Sequence, residues 1–137
     1  MKKLICLAAF ALIATVGFSQ TTATASGAAK ADVAVPAFDT QNFDFGKVKQ
    51  GVPATHEFVF TNKSKVPMVI TNVSASCGCT TPDWTKDPIP PNGRGFVKAT
   101  YNAAAVGTFD KSVTVMANVE NGVIQLRIHG EVVAANQ

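Results

Sequence analysis

Cys77-Gly78-Cys79 is the one local constellation in this chain whose residue types and spacing suggest chemistry. Three chemistries are open to two thiols separated by a single glycine. They can close a disulfide within the motif, which needs Cα atoms about 4.4–6.8 Å apart and hence a turn that Gly78 permits. They can exchange with other thiols, because so small a ring is comparatively reducible. As thiolates they suit a soft ion such as Cu(I) or Zn(II), although a closed zinc site wants four ligands. His56 and His129 are the histidines that would complete such a set. The spacing is neither the Cys-x-x-Cys of thioredoxin-type enzymes nor that of a zinc knuckle. A structural pair or disulfide is therefore the first expectation, with redox exchange and metal binding behind it. His56 and Trp84 are the expected neighbours of the pair.

Other residues carry less. His56 lies in an alternating strand pattern, where a rim histidine is the ordinary role. Trp84, in a proline-rich stretch, suits the capping of a sandwich end, and with Tyr101 it forms a second option, a sugar-binding surface. Gly93-Arg94-Gly95 lacks the following helix of a phosphate loop and reads as a turn. No Gly-x-Ser-x-Gly, His-Glu-x-x-His or Walker pattern occurs in the chain, and two histidines offer little for general acid–base catalysis. No enzymatic activity, catalytic residue, resident metal or cofactor is expected.

The chain begins as a secretory leader does. Lys2 and Lys3 precede an uncharged apolar run from Leu4 to Phe18, and small residues at Gly17 and Ser19 precede Gln20. The run is shorter than the roughly 20 residues of a spanning helix. Residues 1–19 are expected to be a cleaved signal peptide, and Cys6 to leave with them. The leader holds two of the twelve basic residues and none of the nine acidic ones, so most of the formal charge of +3 belongs to it. What remains offers no basic patch for nucleic acid and no further membrane span. The compartment is expected to be the periplasm or the exterior, where thiols oxidise.

These residues need a framework, and the rest of the chain is written in strands. Residues 20–36 are Thr, Ala, Ser and Gly with little apolar bulk, the composition of a flexible tether. From residue 37 to 137 short alternating runs are separated by turn residues. Phe43-Asp44-Phe45 alternates until Gly46 interrupts it. In residues 55–61, His56, Phe58 and Phe60 share one face. Asn62-Lys63-Ser64-Lys65 reads as a hairpin reversal into a strand over 66–73, with Met68 and Ile70 on one side and Val69, Thr71 and Val73 on the other. Four prolines between Thr80 and Gly95 rule out a central strand or a helix. Val97, Ala99 and Tyr101 share a face, as do Phe109, Val113, Val115 and Ala117. Asn121-Gly122 signals a two-residue hairpin into 123–133, where Ile124, Leu126 and Ile128 face one way. About seven strands with no helical period predict an all-β, antiparallel sandwich, with an open barrel as the alternative that periodicity alone does not exclude.

Phe43-Asp44-Phe45-Gly46, His56-Glu57-Phe58-Val59-Phe60-Thr61-Asn62, Ser76-Cys77-Gly78-Cys79-Thr80, Pro90-Pro91-Asn92-Gly93 and Ile128-His129-Gly130-Glu131-Val132 follow one another in this order. The run from Phe43 to Val132 resembles the exported bacterial family known as domain of unknown function fifteen seventy-three. That family is similar to the immunoglobulin-like domains of major sperm protein and the ASPM–SPD-2–Hydin group. The resemblance implies an immunoglobulin-like sandwich and names no reaction. By analogy with relatives of this fold it implies a scaffold or protein-binding module, whose partner would be another envelope or secreted protein.

Overall fold

The computed structural model describes residues 32–136. The expected leader, and the tether as far as residue 31, lie outside the described residues. The strands are β1 (Pro36–Phe38), β2 (Asn42–Lys49), β3 (Ala54–Asn62), β4 (Ile70–Ala75), β5 (Thr80–Trp84), β6 (Arg94–Tyr101), β7 (Gly107–Ala117) and β8 (Val123–Val133). They form two four-stranded sheets, ordered β1-β3-β6-β5 and β2-β8-β7-β4. Their inner faces make one core. Phe58, Phe60, Val97 and Ala99 from one sheet meet Val113, Val115, Leu126 and Ile128 from the other, all fully buried. Period-two alternation produces this result directly, because every second side chain of a strand points to the same face. The all-β sandwich is thus the observed class, and β8 spans the expected residues.

Several local expectations are corrected. Five of the six ladders are antiparallel, but β2 runs parallel to β8. These strands lie far apart in sequence, so no turn signal reports on their relative direction. Within β2 the register shifts between Asp44 and Lys47. Gly46 supplies the positive φ of 62° at this step, and its N–H donates to the Asp44 carboxylate at 2.8 Å.

The reversal at residues 62–65 does not make a hairpin, since β3 and β4 belong to different sheets. Asn62 is the reason. Its side chain is completely buried, and its Nδ2 donates to the carbonyls of Val66 (2.8 Å) and Ile89 (3.0 Å). Its Oδ1 accepts from the Ser64 N–H (3.1 Å) and hydroxyl (2.6 Å). The chain is drawn across the end of the sandwich instead of folding back. Next, a bulge between Ile70 and Asn72 swaps the faces of β4, so Ile70 and Val73 both point inward. The loop into β8 is Asn118–Gly122, longer than the expected two-residue turn.

An eighth strand, β5, lies where prolines excluded a central one; it is an edge strand, which tolerates Pro82. Arg94 and Gly95 open β6 instead of forming a turn. A Cβ on Gly95 would come within 2.5 Å of the Phe60 ring, so the glycine is demanded by close approach. The fold also starts earlier than composition suggested. Ala34 is 2% exposed, its N–H donates to Asn118 O at 2.8 Å, and β1 begins at Pro36, so the last residues assigned to the tether belong to the domain.

Candidate functional site

Ser76 to Cys79 carries the chain from β4, an edge of one sheet, to β5, an edge of the other. Gly78 is exposed at the apex, while Cys77 and Cys79 are half-buried beside it. The two cysteines are joined as a disulfide with Cα atoms 5.3 Å apart. The turn is tied on both sides. Ser76 donates its N–H to Ser112 O (2.9 Å), Thr80 donates to Cys77 O (3.3 Å), and Asn102 donates to Cys79 O (3.0 Å). The Thr80 hydroxyl lies 3.9 Å from the Cys77 sulfur, and Cys79 packs against the core. Bonded sulfurs neither attack nor ligate as thiolates do. Chemistry at this turn therefore begins with reduction, which would free two thiols at the junction of the sheets.

Neither expected neighbour adjoins the pair. His56 sits opposite Ala99, which in turn sits opposite Pro82. That places His56 two strand spacings from β5, roughly 9–10 Å. Its ring stacks on Phe43 of the other sheet, with centroids 3.6 Å apart, and meets Phe58 edge-on at 4.6 Å. Burial pushes its pKa below the ordinary value, with Glu57 opposing the shift, and its Nε2 is buried without a hydrogen-bond partner. His56 is thus part of the aromatic packing between the sheets, where burial disfavours its charged form. Trp84 closes the far end of β5, five residues beyond Cys79 and about 16 Å along an extended strand. Its ring packs on the core and is covered by Lys86 Nζ, 2.9 Å from the centroid, which also approaches Asp83 at 3.6 Å. Tyr101 is 6% exposed and stacks on Phe109 with centroids 4.0 Å apart. A joint sugar-binding surface with Trp84 is therefore not formed.

A second grouping, on the outer face of the β2-β8-β7-β4 sheet, escaped sequence reasoning. His129 pairs in register with Asp44 on one side and Asp110 on the other, and its Nε2 lies 3.7 Å from Asp44 Oδ2. Arg127 donates from Nε at 2.6 Å and from Nη2 to the Asp110 carboxylate. That hydrogen bond lowers the Asp110 pKa and raises that of Arg127. A surface hollow of about 560 Å³ lies here, lined in part by Asp44, Lys47, Asp110, His129 and Glu131. Two of its carboxylates have a basic partner, Asp110 in Arg127 and Asp44 in His129. The signal in the sequence was the alternation of charges in the last two strands, but only register brings Asp44 beside them. Among the described residues no group of three or more His, Cys, Asp or Glu side chains is placed to hold a metal ion.

Fold and turn together define a disulfide-pinned, immunoglobulin-like sandwich. The chain belongs to the family described as "Protein of unknown function (DUF1573)", which matches residues 36–132. Solved structures repeat the fold at low sequence identity. A protein of unknown function from Porphyromonas gingivalis W83 is 14% identical with a TM-score of 0.66, over 75% of this chain and 49% of that one. The ASH / PapD-like domain 7 of human CEP192 is 9% identical with a TM-score of 0.63, over 76% of this chain and 89% of that domain. The secreted serine protease VesC from Vibrio cholerae is 14% identical with a TM-score of 0.56, over 71% of this chain and 23% of the protease. This chain thus spans about half of the Porphyromonas protein and under a quarter of the protease. Comparison with curated proteins found no match.

Proposed function

We propose that the protein is an exported, non-enzymatic domain of the periplasm, envelope or cell exterior that binds another protein or builds a structure with it. The observation that carries this reading is the state of the polar residues. The disulfide pins a crossover, His56 is built into an aromatic stack, and on the outer face Asp110 is taken up by Arg127 and Asp44 lies beside His129. What is left available is the rigid sandwich itself, with open sheet edges suited to strand addition. The leader-like start and the oxidised pair support export. Cross-linking in living cells, followed by capture from the envelope and medium fractions, tests the reading. A specific adduct to one protein is expected, and recovery of nothing above background would refute it.

A second reading, thiol exchange or soft-metal binding at Cys77 and Cys79, is favoured by the position of the pair on a partly accessible turn. Mass measurement before and after thiol labelling separates the versions. Bonded sulfurs that yield to a mild dithiol keep redox exchange, copper or zinc retained by the pair favours metal binding, and a pair inert to both removes this reading.

A further inference from the structure

Two open sheets have four edges, and three of them carry devices that discourage pairing with another chain. β1 is three residues long and starts on proline. β5 contains Pro82 and Asp83. β2 sets Asp44, Lys47 and Lys49 along its length and is broken at Gly46. β4, Ile70-Thr71-Asn72-Val73-Ser74-Ala75, has no charge, proline or glycine. Its bulge falls at the first step, and from Asn72 to Ala75 the register with β7 is regular.

The direction of the backbone groups on β4 follows from its neighbours. Ser76 donates to Ser112 O at 2.9 Å, and on the other side of β7 Ala117 donates to Gly122 O at 3.1 Å. In an antiparallel ladder such bonding alternates from residue to residue. Asn72, Ser74 and Ser76 therefore turn their backbone groups to β7, while Val73 and Ala75 turn theirs to the open side. Among the described residues no strand lies there.

We propose that this edge pairs with the same edge of a second copy, antiparallel about a two-fold axis, so that two four-stranded sheets become one of eight strands. The occupant is argued from charge. A two-fold axis sets a strand against its own sequence, so on β2 the lysines would face lysines or their near neighbours across the interface. On β4 the residues that meet are Asn72, Val73 and Ser74, which carry no charge, and the exposed Asn72 and Ser74 side chains can hydrogen-bond. Val73 as a whole residue is only 5% exposed in the monomer, so pairing adds main-chain hydrogen bonds and little apolar burial. The dimer is accordingly concentration-dependent. This inference goes beyond binding of another protein, and a purified sample, which holds no other protein, tests it separately.

The test is sedimentation velocity of the purified exported chain over a concentration series. The expected result is a shift from monomer to dimer, accompanied by slowed amide exchange at Val73 and Ala75. The double variant N72K/S74K places like charges opposite each other and is expected to stay monomeric with an unchanged melting temperature. N72E/S74E should behave likewise, and an equimolar mixture of the two should restore the dimer. Four results would overturn the proposal: a wild type that is monomeric throughout, a dimer indifferent to the lysines, loss of the dimer without rescue in the mixture, or Val73 and Ala75 amides already protected in the monomer. The last would mean that the chain's own N-terminal segment covers the edge. Should the lysine variants unfold, the concentration dependence of exchange in the wild type decides alone.

Discussion

Replacing Asn62 with aspartate tests the account of how the chain changes sheets. The substitution is nearly isosteric and preserves Oδ1, so the bonds from the Ser64 N–H and hydroxyl survive. It removes Nδ2, which donates to Val66 O at 2.8 Å and to Ile89 O at 3.0 Å. Once ionised, the introduced carboxylate would set a negative oxygen against both carbonyls in a fully buried position. Each carbonyl keeps another donor within reach, the Met68 N–H at 2.8 Å from Ile89 O and the Ser64 hydroxyl at 2.9 Å from Val66 O, so the cost is the net loss of two hydrogen bonds, about 0.5–1.5 kcal/mol each. The sum is about 1–3 kcal/mol, which for a domain of this size lowers the melting temperature by roughly 5–25 °C. The loss should depend on pH. When protonated, the introduced carboxyl can donate to one of the two carbonyls, so burial and the facing carbonyls raise its folded pKa above the unfolded value near about 4. The unfolded chain then ionises first as pH rises, and stability falls from about pH 4 upward until the folded carboxyl also ionises. Urea unfolding at pH 4 and pH 8 measures both effects. An N62D protein as stable as wild type at pH 8, or more stable there than at pH 4 relative to wild type, would refute the reasoning.

Other outcomes follow from the same packing. G95A should lose about 1–3 kcal/mol in urea unfolding, because its new methyl meets the Phe60 ring and Ile89 inside a filled core. H56F retains the stack on Phe43 and removes the buried, unpartnered Nε2, so it should be at least as stable as wild type at neutral pH. Since the folded pKa of His56 lies below its unfolded value of 6.5, the wild type should lose stability as pH falls through 6.5, levelling off below the folded pKa, and H56F should lack this contribution. Reduction of Cys77–Cys79 opens a loop of only three residues, so a melt with a dithiol reductant should show a folded domain weakened by about 1–2 kcal/mol, not an unfolded one.

Much of this fold was legible in the alternation of side chains. The buried faces of β3, β6, β7 and β8 follow from a period of two, which local sequence records completely, and the absence of a helical period settles the class. The bulge in β2 was marked by Gly46, since few other residues accept its backbone angles. The Cys-Gly-Cys turn was equally visible, because two residues separated by one glycine must meet or nearly meet wherever the chain goes. The bulge in β4 had no such mark, and there the alternation misled.

Tertiary structure decided whatever depends on which strands become neighbours. The parallel pairing of β2 with β8, the stacking of His56 on Phe43 and the row Asp44–His129–Asp110 all join residues distant in sequence. No local pattern carries register between such segments. The separation of Trp84 from the disulfide was likewise settled by an edge strand, β5, that holds them at opposite ends. Asn62 shows the reason most directly. In sequence it is one polar residue in a polar turn, and its weight comes from a carbonyl 27 positions away that only the folded chain brings to it.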